Sequence, residues 1–303
     1  SIGLQPDILV GRSEDKLHPD VKEKIALFCD VPTDAVFSNP DVEDIYHVPL
    51  MVEDEGLDEY VMEHFELDEE ALPRDQRDTK WRDLVTRDKE GSVDIALVGK
   101  YGLEDAYISI HEALKHAGLE KRVNVERTWI HSEKLADGHD GKLDDVDGIV
   151  VPGGFGSRGT EGKIEAIRYA RENNVPFLGL CLGFQMAVVE YARNILGLEG
   201  AHSAELDEET PHPVIDLLPE QKDLDDMGGT MRLGTYDTEI ESGTLARDLY
   251  EDSTCTERHR HRYEVNPEYI EDLEDAGLVF SGTSGRRMEI LELPEHPYFF
   301  GTQ

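Results

Sequence analysis

The chain has 303 residues, 38% of them hydrophobic, which is enough for a sizeable core and for more than one domain. Acidic residues number 67 against 30 basic ones, a formal net charge of −37, so nucleic acid and anionic membranes are excluded as partners by repulsion. No run of about 18 or more apolar residues is present to span a membrane, and the opening SIGLQPDILVGR lacks the basic and apolar regions of a signal peptide.

Residues 1–50 carry the short apolar runs PDILV, KIALF, VPTDAVF and IYHVPL, punctuated by Pro and Asp, and predict an α/β arrangement. Residues 53–92 turn acidic and amphipathic, predicting one or two surface helices and then a charged linker. The texture changes at Val93. VDIALVG predicts a buried strand, residues 100–105 a loop, and AYISIHEALKHAGL a helix ending at Gly118. VNVERTWI and GIVVPGGFG predict strands, the second running into glycines. IEAIRYARENN predicts a helix, VPFLGL a strand and FQMAVVEYARNIL a helix. Alternating strands and helices predict a parallel, doubly wound sheet. After about Ala201 the pattern is β-rich: GTMRLGTYDTEI, HRHRYEV, LVFSGTS, RMEILEL and YFFGTQ. The domains expected are residues 1–91 and 92–303.

The acidic residues are spread along the whole chain among strong apolar periodicity, so they predict a folded protein with a carboxylate coat screened by high salt. This fits the cytoplasm of a salt-loving organism. Cys29, Cys181 and Cys255 are odd in number and far apart, which argues against a disulfide framework and fits a reducing compartment. The first residue is not Met, and the chain reads as part of a longer one.

Cys181 lies between a predicted buried strand and a helix in G-x-C-x-G, with Gly179 and Gly183 on either side. That is the form of a nucleophile elbow, where glycines let neighbouring backbone approach without a Cβ clash. The sulfur is expected over the helix N-terminus, whose partial charge lowers a thiol pKa. The N–H of Leu182 is expected to point where an oxyanion would form. A buried structural cysteine is the bland reading of an isolated Cys, and the strand–elbow–helix context argues against it.

VVPGGFGSRG follows another strand, and Gly153 and Gly154 can turn their amides into the same pocket as a second oxyanion donor. A phosphate-binding loop is the rival, but the G-K-[ST] ending and the GxGxxG spacing are missing. In ERHRHRYEV, a single strand would put Arg258, Arg260 and Arg262 on one face and His259 and His261 on the other. The arginines make a local anion trap suited to a substrate carboxylate. H-x-H is open to a zinc reading, but the cationic neighbours oppose it and no metal is assigned.

Taken together, GLCLGFQ and VPGGFG resemble the class I, triad-type glutamine amidotransferases, which release ammonia from glutamine through a γ-glutamyl thioester. SIGLQPDILVGRS, KIALFCDV, GGFGSRGTEGK, GGTMRLG and ERHRHRYEVN are similar to one branch of these, the CTP synthase family, here haloarchaeal-like. The resemblance extends over essentially the whole chain. It implies a flavodoxin-like doubly wound amidotransferase domain with an added β-rich part, preceded by a fragment of a P-loop-type α/β synthetase (amidoligase) domain.

The resemblance further implies Cys181 as nucleophile and the amides of Gly154 and Leu182 as the oxyanion hole. Glutamine would be held by Gly154, Leu182, Gly183, Phe184, Gln185, Glu205 and Arg262, with Glu205 suited to the ammonium and Arg262 to the carboxylate. Lys24 matches a pyrimidine-nucleotide contact, Asp41 and Val42 an adenine-binding segment, and Arg158 lies near where such enzymes sense GTP. No cofactor is expected in this chain; the parent enzyme would use ATP and Mg2+ to aminate UTP, with GTP as activator, and would form homotetramers. The phosphate-binding loop and magnesium carboxylates that open the family's amidoligase domain are not in this sequence. The family's catalytic His and Glu lie in an H-P-E segment just beyond a G-T-Q such as residues 301–303, so this stretch is expected to bind glutamine but turn it over poorly. His296 precedes the YFF strand whereas the expected base follows it, and it is not assigned. The reading of a different class is a non-catalytic glutamine-binding or assembly fragment.

Overall fold

The computed structural model describes residues 3–67, 79–101, 104–218 and 231–303. The structure forms two compact units, Ser1–Lys89 and Glu90–Gln303. Residues 68–78 of the stretch expected to hold surface helices and then a charged linker, part of the loop after residue 100 and the start of GGTMRLG lie outside the described residues.

In the first unit, β1 (Leu9–Ser13) and β2 (Val36–Pro40) pair in parallel across α1 (Pro19–Cys29), a βαβ unit. Pro19 suits the first turn, where its missing N–H costs nothing, and the His18 ring accepts from the N–H of Asp20 at 3.3 Å. IYHVPL becomes a short 3-10 turn followed by α2 (Val48–Asp54), because Asp44 caps the turn and Pro49 stands at the helix start. Helices α3 (Leu57–His64) and α4 (Thr79–Thr86) follow. Glu55 fastens α1 to β2: it pairs with Lys16 and Lys22 and accepts the Ser38 N–H at 3.2 Å. Burial pushes this carboxyl up, but the two lysines and the amide outweigh it and hold its pKa at about 2.

The second unit continues as β3 (Gly91–Gly99), α5 (Ile108–Lys121), β4 (Val123–His131), β5 (Gly148–Val151), α6 (Thr160–Asn173), β6 (Phe177–Leu180) and α7 (Leu182–Asn194). Then come β7 (His202–Ser203), β8 (Pro213–Asp216), β9 (Arg232–Ile240), α8 (Leu245–Tyr250), β10 (Thr254–His261) and β11 (Glu264–Val265). The chain closes with α9 (Ile270–Asp275), β12 (Val279–Ser284), β13 (Arg287–Glu292) and β14 (Phe299–Thr302). Among the described residues the main sheet has nine strands, in the order β10-β9-β12-β13-β14-β6-β5-β3-β4. The run from β14 to β4 is parallel throughout. Counted along the chain, those five strands stand 2-1-3-4-5, the flavodoxin-like order. The β-rich part extends this sheet through antiparallel strands, while β7, β8 and β11 make a small second sheet. Among the described residues no helix is long and apolar enough to cross a membrane.

Two expectations change. α5 runs past Gly118 to Lys121, and the left-handed residue is Arg122 at φ 59°. Gly118 is needed for packing instead, since a Cβ there would meet the Val123 carbonyl oxygen at 2.8 Å. HRHRYEV is not one strand: β10 ends at His261 and β11, in the other sheet, begins at Glu264.

Helix α7 is buried nearly all round, from Leu182 to Ala192, between the main sheet and the small one. Its Glu190 has a fully buried side chain and accepts from the Arg171 guanidinium of α6 at 2.8 to 3.1 Å and from Asn194 at 3.0 Å. Arg171→Met would strand that carboxylate and is expected to cost about 3–5 kcal/mol. Arg168→Met, which removes a partly exposed pair with Glu165, should cost less than about 1 kcal/mol. Urea midpoints in high salt compare the two, and equal losses would contradict the ranking.

Candidate active site

Four parallel strands deliver their carboxyl ends to one place. β3 is followed by Lys100, β5 by Pro152, Gly153 and Gly154, β6 by Cys181, and β14 runs into Gln303. Open α/β sheets take ligands at this edge.

Cys181 sits at φ 51°, ψ −102°, a left-handed conformation that costs a non-glycine residue about 1–3 kcal/mol. The surroundings hold it there. Its N–H donates to the Thr302 carbonyl at 2.8 Å, and its own carbonyl accepts the Gln185 N–H at 3.0 Å, starting α7. Both flanking glycines are demanded by close approach. A Cβ on Gly183 would lie 2.0 Å from the Val151 carbonyl oxygen, and one on Gly179 would lie 2.8 Å from the carbonyl carbon of Gly183.

The thiol pKa departs from expectation. Burial pushes the Cys181 thiol above its ordinary value; the Leu182 N–H bonded to it and the Lys163 ammonium pull it down, and Glu205 and Glu264 push it up again. The helix end acts as foreseen but does not outweigh desolvation, so the sulfur rests as a thiol and needs a proton acceptor to attack.

An inner cavity of about 100 Å³ is lined by Gly154, Cys181, Leu182, Gln185, Glu205 and Arg262, together with Phe155, Met231, Arg260, His261 and Tyr263. Eight residues singled out in the sequence, Arg260 and His261 among them, are thus brought together. Gly183 and Phe184 lie in the packing beneath, Phe184 fully buried in the main core. The Gln185 amide donates to the Tyr263 carbonyl at 3.2 Å, as does Gln303 at 3.3 Å. Desolvation raises the Glu205 carboxyl, opposed by Arg262 and Lys100. Because β10 stops at His261, only Arg258 and Arg260 share an exposed strand face, and Arg262 reaches the cavity from the turn beyond.

A wider cavity of about 370 Å³ adjoins the same cysteine, bounded by Tyr101, Tyr107, Phe155, Arg258, Arg260 and Gln303, among others. Arg158 donates to the Lys100 carbonyl at 3.2 Å. His296 belongs to the opposite edge: it precedes β14, whose first residue pairs with Phe177 at the start of β6, and its Nε2 lies 3.0 Å from the Ala170 oxygen. Lys24, Asp41 and Val42 belong to the first unit. Lys24 is exposed on α1, and Asp41 is held beyond β2 by its N–H to Ser13 and by Arg12 at 2.7 Å.

His259, His261 and Glu289, all buried, bring potential metal-ligand atoms within 4.8 Å of one another. Arg232 is ion-paired to Glu289, and the two imidazoles approach each other at 3.1 Å, so the carboxylate charge is already answered.

Sequence reasoning passed over Lys163, fully buried on α6 with its Nζ donating to the Pro152 carbonyl at 2.8 Å. Its phase was the available signal: it stands on the stripe of Ala166, Ile167 and Ala170, all of them buried.

The chain matches the family described as "Glutamine amidotransferase class-I" over residues 103–303 and "CTP synthase N-terminus" over residues 1–67. It belongs to the class I glutamine amidotransferase family. Within that family it groups with the CTP synthases. It is 74% identical to a CTP synthase of Haloarcula hispanica, 72% to one of Natronomonas pharaonis and 58% to one of Archaeoglobus fulgidus, in each case over the whole of this chain. It covers 55, 55 and 57% of those proteins, so the chain spans about half the length of the curated relatives it matches. Among solved structures it is similar to the Trypanosoma brucei CTPS glutaminase domain with bound acivicin, at TM-score 0.65 and 39% identity over 70% of this chain and 84% of that one. The haloarchaeal relatives fit the acid-coated, salt-adapted composition.

Proposed function

We propose that the second unit is the glutaminase part of a cytoplasmic CTP synthase. The observation that carries this is the strained Cys181 elbow opening on a cavity where Gln185, Glu205 and Arg262 converge. Glutamine enters with its α-carboxylate on Arg262 and its α-ammonium on Glu205. The Cys181 sulfur, giving up its proton, attacks the carboxamide carbon. The oxygen takes the negative charge, and the amides of Gly154 and Leu182 stabilise it. The carbon–nitrogen bond breaks as nitrogen is protonated, leaving ammonia and a γ-glutamyl thioester, which water hydrolyses to glutamate and free thiol. A base is required to take the thiol proton, the role the family gives to the His and Glu of its H-P-E segment, and burial of the thiol adds to that need.

The ammonia would serve ATP-dependent amination of UTP in the parent enzyme, a homotetramer on this reading. ATP with Mg2+ supplies carbonyl activation when bound. Lys24, Asp41 and Val42 are the residues here that would contribute to nucleotide binding; the latter two follow the carboxyl end of a parallel strand, and exposed Lys24 suits a phosphate. The wider cavity suits GTP as effector, with aromatic rings for a base and arginines for phosphates, and Arg158 bonded to the Lys100 carbonyl beside it.

Calorimetry tests the substrate assignment. Arg262→Met is expected to weaken glutamine binding about 10–150-fold, the worth of one charge-assisted hydrogen bond. Glu205→Gln should weaken glutamine similarly but leave the deamino analogue, which lacks the ammonium, unaffected. Unchanged affinities in both variants would refute the assignment.

A further inference from the structure

Lys163 has no place in the mechanism above, yet it is among the largest fully buried side chains of the molecule. Its neighbours are the machinery itself. The Nζ donates to Pro152, the residue before the glycine pair. A Cβ built on Gly154 would stand 3.7 Å from that Nζ and 3.7 Å from Leu182, and one on Gly153 would stand 3.5 Å from the Cys181 Cβ. Lys100, also buried, holds the other end of the loop through the Gly156 carbonyl at 3.3 Å.

We propose that Lys163 is a positioning residue for Cys181: held against the Pro152 carbonyl under the glycine loop that abuts Cys181, its ammonium favours the thiolate. A buried ammonium is costly unless its charge is used. Burial lowers Lys163 to about 7, Lys100 pushes the same way and Cys181 opposes them. The amine is therefore near its midpoint at neutral pH and gains its proton more readily as the sulfur becomes anionic. The other groups facing Cys181 are Glu205 and Glu264, which oppose the thiolate, with Arg260, His261, Arg262 and Tyr263 on the cavity wall.

The inference rests on Cys181 as the nucleophile. The test is the pH profile of Cys181 alkylation by iodoacetamide, followed by peptide mass, in the parent chain and in Lys163→Met. Methionine is apolar and of similar length. Alkylation at pH 7 is expected to slow about fivefold while the high-pH plateau stays common, because only the thiolate fraction changes. A structural role alone would lower the rate by one factor at every pH, and that result, or superimposable profiles, overturns the proposal. The parent chain offers a second measurement that needs no variant at this position. With 13C-labelled lysine, the Lys163 midpoint should lie about one unit higher when Cys181 is carboxymethylated than when it is carboxamidomethylated, since the two adducts differ by one negative charge. Equal midpoints overturn the proposal. If electrophilic glutamine analogues leave Cys181 unmodified, the nucleophile reading falls and this inference with it; a modified Cys181 with unmoved profiles sinks this inference alone.

Discussion

Gly183→Ala is expected to destabilise the second unit by about 3 kcal/mol or more and to slow modification of Cys181 about 100-fold. The added methyl would stand 2.0 Å from the carbonyl oxygen of Val151, and that oxygen belongs to a central strand that cannot retreat. The amino end of α7 must therefore lift off β5. Cys181 immediately precedes that helix, so the sulfur moves with it. Gly91→Ala is the control: a Cβ there meets nothing within 4 Å, and the change should stay within about 0.5 kcal/mol. Urea unfolding in high salt compares them. A Gly183→Ala chain within about 1 kcal/mol of the parent would mean that the elbow tolerates what its geometry forbids.

The local part of the site was legible in the sequence because it depends on backbone shape. G-x-C-x-G between a buried strand and a helix leaves little room for another conformation, and the structure gives Cys181 the left-handed φ that such a turn requires. The parallel strands from β3 to β6 likewise follow from the alternation of strand and helix patterns, whereas YFFGTQ read as part of the β-rich tail and instead supplies the fifth parallel strand, beside β6. Spatial neighbours from distant segments were less legible. Alternation put three arginines on one face, but the register breaks after His261, and a break between sheets leaves no periodic trace. Gly118 looked like a helix stop because glycine usually marks one, whereas here it answers to the Val123 backbone across the packing interface. The thiol pKa was misjudged because the helix end is visible in sequence and the depth of burial is not. Lys163 was missed because a lysine is ordinarily solvated, even though it occupied the phase of a buried stripe.

Cys181→Ser is expected to bind glutamine nearly as the parent does and to lower thioester-dependent chemistry about 10⁴-fold or more, because oxygen at this elbow is a far weaker nucleophile than sulfur. The Gly154 and Leu182 amides and the Glu205 and Arg262 charges remain in place, so affinity should be spared. The competing thiols are poorly suited. Cys255 is buried and pushed up to about 11, by desolvation first and by Glu257 next, and Cys29 lies in the other unit.

The most direct measurement is covalent capture. The chain is treated in high salt with an electrophilic glutamine analogue such as acivicin, the compound bound in the related Trypanosoma brucei glutaminase domain, and the adduct is located by peptide mass. A single adduct on Cys181, slowed by excess glutamine and absent from Cys181→Ser, is the predicted result. Modification of Cys29 or Cys255 in preference to Cys181, or labelling of Cys181 that glutamine does not slow, would contradict the assignment of this elbow as a glutamine-directed nucleophile.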